Sequence, residues 1–143
     1  MDDVDQKLLN ELSVNARLPV ATLAKRMGIA RSTVQARIER LETQGVIAGY
    51  TLRLGEAARA RRIHATVLLQ VEPRATTAVL QRLKAIPEVL RAETSSGRFD
   101  MVLLVAAATT EALDKVLDII GVIPGVTDSE SLIQLSVRID RGT

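Results

Sequence analysis

Val20–Leu41 reads VATLAKRMGIARSTVQARIERL, two short amphipathic runs on either side of Gly28. In the first run Val20, Leu23, Ala24 and Met27 recur at helical spacing and face inward, leaving Lys25 and Arg26 outside, where a phosphate backbone would lie. In the second, Val34, Ile38 and Leu41 repeat at i, i+4 and i+7, so a helix starts near Ala30 or Arg31 and stops near Gly45. At about 100° per residue, Ser32, Ala36 and Arg40 point away from that stripe, with Thr33 and Gln35 on its flanks, all free to meet a groove. Two helices around a glycine-containing turn, the second with polar side chains at its entry, form the pattern of a helix-turn-helix, whose second helix enters the major groove of DNA. Ser32, Thr33 and Gln35 are then the candidates for base edges, and Arg31 and Arg40 for phosphates.

Working outward, Asp2 has the position of an N-cap with Asp5 three residues on, both favourable at the positive end of a helix dipole, and Val4, Leu8 and Leu12 follow at spacings of four. Pro19 marks the entry to the next helix. After Gly45, VIAGYTLRL turns β-branched and alternating, which predicts a strand or small wing and a winged helix-turn-helix head over residues 1–52. Residues 53–62, containing GEAARARR, lose apolar periodicity and read as a linker or short helical turn. Arg59, Arg61 and Arg62 there fit either DNA-backbone contact or ordinary linker solvation.

Over residues 63–143 the pattern changes to strand, helix, strand, strand, helix, strand. Ile63, Ala65, Val67, Leu69 and Val71 alternate, and Val79, Leu80, Leu83 and Ile86 take helical spacing before Pro87. Residues 89–95 and 99–107 bracket a turn with Ser96 and Gly97, and FDMVLLVAA is apolar on both faces, as a central strand is. Thr109 caps a helix carrying Leu113, Val116, Leu117 and Ile120, and the alternation of Ile133, Leu135, Val137 and Ile139 predicts the last strand. This βαββαβ order is the ferredoxin-like split fold, α+β, an antiparallel sheet with both helices on one face. Its other face would bare Leu68 and alternate residues of 99–107, and the same face of a second copy covers it most simply, predicting a homodimer.

Of 143 residues 47% are hydrophobic, ample for a core and unlike a disordered chain. The absence of cysteine removes disulfides, thiol nucleophiles and cysteine metal sites. MDDVDQ carries no basic leader and no apolar run reaches membrane-spanning length, so a cytoplasmic protein without membrane contact is expected. Residues 1–62 hold 11 Lys and Arg against 7 Asp and Glu, and residues 63–143 hold 8 against 10, so positive charge gathers in the head. That fits a nucleic-acid face or a solvated surface, and the adjoining motif favours the first. The single His64 has no carboxylate or cysteine constellation around it at motif spacing, no phosphate-binding glycine loop occurs, and Glu111, Asp114 and Asp118 read as a solvated helix face. No enzyme, cofactor or metal site is therefore expected. The rival reading is a small-molecule-binding or oligomeric scaffold with little DNA affinity.

The chain resembles the Lrp/AsnC, or feast/famine, transcriptional regulators over essentially its whole length. The matching residues are Asp2 and Asp5 with Leu9 and Leu12; Asn15-Ala-Arg17; Leu23-Ala24; Thr33-Val34, Arg37-Ile38 and Leu41-Glu42; Gly45-Val46-Ile47 and Gly49-Tyr50; then Gly97-Arg98-Phe99-Asp100 and Pro124-Gly125-Val126. Two positions depart from the family: Asn15 stands for Asp, and Ala30 for an N-cap Ser, a loss of about 1 kcal/mol. The second helix has an alternative start at a Ser32-x-x-Gln35 capping box. Arg37, nearer the inward stripe, is expected to form an ion pair within the head. The resemblance implies homodimers assembling into tetramers or octamers that bend or wrap double-stranded DNA, and an amino acid or related small metabolite held where dimers meet. It places that effector at the turn Ser95, Ser96, Gly97, Arg98 and Asp100, Asp100 attracting an ammonium and Arg98 with the amides near Gly97 a carboxylate, while Ser129 and Ser131 add hydroxyls from a neighbouring copy. The competing reading of that turn is a plain hairpin in which Asp100 bonds local backbone amides.

Overall fold

Asp2 opens the first helix, α1 (Asp3–Val14), with a reciprocal capping box: its carboxylate accepts from the Asp5 amide at 2.9 Å, and the Asp5 carboxylate accepts from the Asp2 amide at 3.3 Å. In this computed structural model, which describes residues 1–141, α2 (Val20–Met27) follows from Pro19 and ends at Gly28 in the left-handed conformation, φ 67°. Glycine adopts that φ without the Cβ clash other residues meet, and the chain turns at once into α3 (Arg31–Thr43). Leu8, Leu23, Ala24, Val34 and Leu41 form the buried centre of the three helices, with Leu12, Met27, Ile29 and Ile38 among those packed around it.

No strand follows α3: residues 46–55 carry no regular secondary structure, which corrects the expected wing. Val46, Tyr50 and Leu52 are exposed. Strand backbone is stable only on a ladder, and no strand among the described residues pairs with this segment.

The chain divides between Arg53 and Leu54, Met1–Arg53 grouping with Asp140 and Arg141, and Leu54–Ile139 forming the second unit. The short helix α4 (Glu56–Arg59), within the stretch read as a linker, thus groups with the second unit, where Arg62 donates to the Ala106 carbonyl at 3.2 Å. There β1 (Ile63–Val71), α5 (Thr76–Lys84), β2 (Val89–Thr94), β3 (Met101–Ala107), α6 (Thr110–Gly121) and β4 (Val126–Ile133) succeed one another in the expected βαββαβ order. The sheet order is β2-β3-β1-β4, every neighbouring pair antiparallel. The inward residues Ala65, Val67, Leu69, Met101, Leu103 and Val105 pack with Val79 and Leu83 of α5 and Leu113, Val116 and Ile120 of α6 in one core, so both helices cover the same face. Gly125 fixes the entry to β4, since a Cβ there would come within 2.3 Å of the Ala75 Cβ.

The last strand lies earlier than its alternation suggested. β4 pairs Val126–Ile133 with β1, and the ladder ends where the Gln134 amide donates to the His64 carbonyl at 2.9 Å. Because β1 starts at Ile63, the ladder offers no further strand partner beyond this point, and Leu135, Val137 and Ile139 are exposed. The true strand, VTDSESLI, shows no apolar alternation because it is an edge with nearly all its residues exposed.

Candidate DNA-reading face and sensing turn

The entry of α3 carries no side-chain cap: Ala30 is the N-cap, extended at ψ 148°, and its carbonyl accepts from the Val34 amide at 3.1 Å. The alternative start at Ser32 is therefore corrected, with Ser32 inside the first turn and the Gln35 side-chain amide donating to Glu39 at 3.2 Å. An uncapped first turn presents backbone donors and the positive end of the helix dipole to whatever approaches. Ser32, Thr33, Gln35 and Ala36 are exposed there, as are Lys25, Arg26, Arg31 and Arg40.

All of these except Gln35 line two shallow depressions. Ser32, Thr33, Ala36, Arg37 and Arg40 line one; Ala21, Thr22, Lys25, Arg26 and Arg31 line the other. Arg26 also pairs with Glu11 at 2.8 Å.

Beneath the first depression lies an ion-pair network. Arg37 donates to both Asp2 oxygens at 2.8 Å and to Asp5 at 3.0 Å, the ion pair expected of it within the head. Arg40 donates to the two Asp5 oxygens at 3.2 and 3.0 Å. Asp5, its side chain 2% exposed, is the one charged residue buried among the described residues. The Arg37 hydrogen bond, with help from the Asp5 amide, lowers the Asp2 carboxyl to about 2. For Asp5, burial pushes upward, and the bonds from Arg37 and the Asp2 amide more than offset it, so it too lies below the ordinary carboxylate range. Arg37 is raised in turn by Asp2 and then Asp5. The tie of Arg40 to Asp5 went unread in the sequence, although a signal was present: Asp5 shares the i, i+3, i+7 stripe of Leu8 and Leu12, and an acid on an apolar stripe requires a cation.

In the second unit the β2–β3 turn brings Ser95, Ser96, Gly97, Arg98 and Asp100 together. The Ser95 amide donates to the Asp100 carbonyl at 2.9 Å, its hydroxyl donates to the Phe99 carbonyl at 2.7 Å, and Gly97 has φ 119°. The Arg98 guanidinium lies 5.2 Å from the centre of the Phe99 ring. Asp100 accepts from the Val71 amide at 2.8 Å, at the irregularity in the β1–β4 register, so part of its bonding capacity goes to local backbone. Ser129 and Ser131 are exposed on β4, paired with Leu69 and Val67, and β1 stands between that strand and β3. Within one copy the structure does not bring these two serines into the turn.

On the sheet face away from the helices, Leu68, Val102 and Leu104 are only half-buried and Leu132 is 51% exposed, beside the Arg91–Glu93 pair. No helix among the described residues is long and apolar enough to cross a membrane.

The described residues thus form a helix-turn-helix head and a four-stranded α+β unit, an architecture whose function is decided by its sites and not by the fold alone. The AsnC-type helix-turn-helix domain matches residues 1–42, and the Lrp/AsnC ligand binding domain matches residues 64–143. The chain belongs to the Lrp/AsnC family of transcriptional regulators. It is 31% identical to the regulator FL11 of Pyrococcus furiosus over 96% of this chain and 91% of that one, and 32% identical to LrpA of Mycobacterium tuberculosis over 99% and 95%. Among solved structures, a feast or famine regulatory protein from M. tuberculosis complexed with L-methionine superposes with a TM-score of 0.86 at 33% identity, covering 97% of this chain and 95% of that one.

Proposed function

We propose that this regulator binds operator DNA sequence-specifically as a homodimer, through Ser32, Thr33 and Gln35 at the entry of α3, and that an amino acid or related metabolite modulates it. The observation that carries the reading is the α3 entry: uncapped, studded with exposed uncharged polar side chains and neighboured by Lys25, Arg26 and Arg31. Short polar groups read base edges and the cations neutralise phosphates. The half-bare sheet face supplies the pairing, since covering Leu68, Val102, Leu104 and Leu132 with the same face of another copy removes apolar surface from water and gives an isologous contact. Two heads then address half-sites about one helical turn apart. Dimers assemble further into tetramers or octamers that bend or wrap the DNA.

The effector is assigned to the Ser95–Asp100 turn, completed by Ser129 and Ser131 of a neighbouring copy, and the L-methionine complex of the tuberculosis relative supports an amino acid as its class. Binding there shifts the protein between assemblies only if its affinity for them differs. The protein acts with the DNA it reads, in the cytoplasm, by binding and not by catalysis.

Electrophoretic retardation of its own upstream region, repeated at raised salt, tests the DNA reading. Sequence-selective retardation that weakens with salt is expected; equal binding to unrelated duplex would contradict specificity. Calorimetric titration with the common amino acids tests the sensor, for which heat with at least one is expected and silence with all of them removes it.

A further inference from the structure

Arg40 lies on the outward side of α3 with half its side chain exposed, so nothing steric prevents it from reaching a phosphate. What holds it back is Asp5, whose buried carboxylate takes the Arg40 guanidinium on both oxygens. A carboxylate out of water retains its cations, because releasing one leaves charge without compensation. Arg37 is already shared by Asp2 and Asp5, so two acids neutralise two arginines under the reading surface. Lys25 and Arg31 differ: neither has a carboxylate partner among the described residues, and both line the second depression beside Thr22.

We propose that Asp5 is a positioning residue of the DNA-reading face, withholding Arg40 from phosphate so that Lys25 and Arg31, the first residue of α3, make the electrostatic contacts and the next turn of α3 offers DNA the uncharged side chains of Ser32, Thr33, Gln35 and Ala36. The inference rests on the DNA-binding reading. It reverses the role that position on the helix wheel gave Arg40. Its consequence is a gain in selectivity: of the charges on the groove-facing helix, the one at Arg40 is taken away from the duplex, and base discrimination there is left to groups that carry sequence information.

The salt dependence of affinity separates the roles, because each phosphate neutralised contributes about 0.9 to the slope of log K against log salt. Retardation of the protein's own upstream DNA is measured across a salt series for the wild type, Lys25→Gln, Arg31→Gln, Arg40→Gln, Asp5→Asn and the double variant Asp5→Asn/Arg40→Gln. Lys25→Gln and Arg31→Gln are expected to flatten the slope by about 0.9 for each bound copy, and Arg40→Gln to leave it unchanged. Asp5→Asn releases Arg40 and steepens the slope, and the double variant restores it. A purely structural role for Asp5 would weaken binding without steepening its salt dependence. Should Asp5→Asn fail to fold by circular dichroism, Arg40→Gln against Arg31→Gln, both at exposed positions, decides alone. Wild type that binds while Arg40→Gln flattens the slope as Arg31→Gln does overturns this inference only; wild type that binds no DNA overturns the DNA reading and this inference with it.

Discussion

In the head, five buried apolar side chains, Leu8, Leu23, Ala24, Val34 and Leu41, pack between α1, α2 and α3, and beside them sits a buried carboxylate tied to two arginines. In the second unit fourteen buried apolar residues fill the space between sheet and helices, with no charged group among them. The head is near the size at which a single core is marginal, so directed ion pairs between the start of α1 and the middle of α3 supplement it. The sheet unit rests on buried area. The difference teaches how each responds to change: the head to charge and pH, the sheet unit to volume.

The largest effect belongs to the sheet core. Leu69→Ala, at a fully buried central-strand position, is expected to cost about 2–5 kcal/mol by urea denaturation; a loss near zero would show that the site collapses or was never close-packed. Acid gives the next test, on the head alone. Since the Asp2 carboxyl is held down to about 2 and that of Asp5 is also lowered, their support is fully present above the ordinary carboxylate range and is lost as pH falls through the folded values. The fluorescence of Tyr50, the chain's single tyrosine and a residue of the head unit, is therefore expected to report a falling melting temperature between pH 4 and 2. Arg37→Gln should remove most of that pH dependence, and an unchanged acid profile in this variant would break the contrast between the units. The smallest effect is at Thr109, whose hydroxyl accepts from the Ala112 amide at 3.0 Å at the start of α6. Thr109→Ala is expected to cost about 1 kcal/mol, measured by the same denaturation, and no change would mean solvent caps that helix equally well.

Most of the fold was legible because its elements carry period. The α3 stripe of Val34, Ile38 and Leu41, the alternation of β1 and the Asp2 and Thr109 caps are local signals, and the structure realises them. One expected strand, the wing, is absent and another, β4, lies elsewhere, both for one reason. Alternation shows that a segment is able to be a strand, whereas pairing requires a neighbour. Residues 46–54 and 135–139 alternate but pair with no strand among the described residues, while β4 hides in TDSES because an edge strand need not bury either side. At the candidate site, exposure of Ser32, Thr33 and Gln35 followed from the helix wheel. The engagement of Arg40 did not, because it depends on an acid 35 residues away brought close only by packing. Asp100 likewise bonds the Val71 amide at a register irregularity that no local pattern announces.

In the proposed function, copies pair through the bare sheet face to join one DNA-reading head to a second, and sedimentation of the full chain at micromolar concentration tests this most directly. The wild type is expected at twice the 15.5 kDa chain mass or a multiple of that, and Leu104→Glu, placing a charge on the half-buried face, at the single-chain mass with its DNA affinity lost. A wild type that sediments as one chain and still retards its operator would contradict the pairing and the two-headed reading built on it.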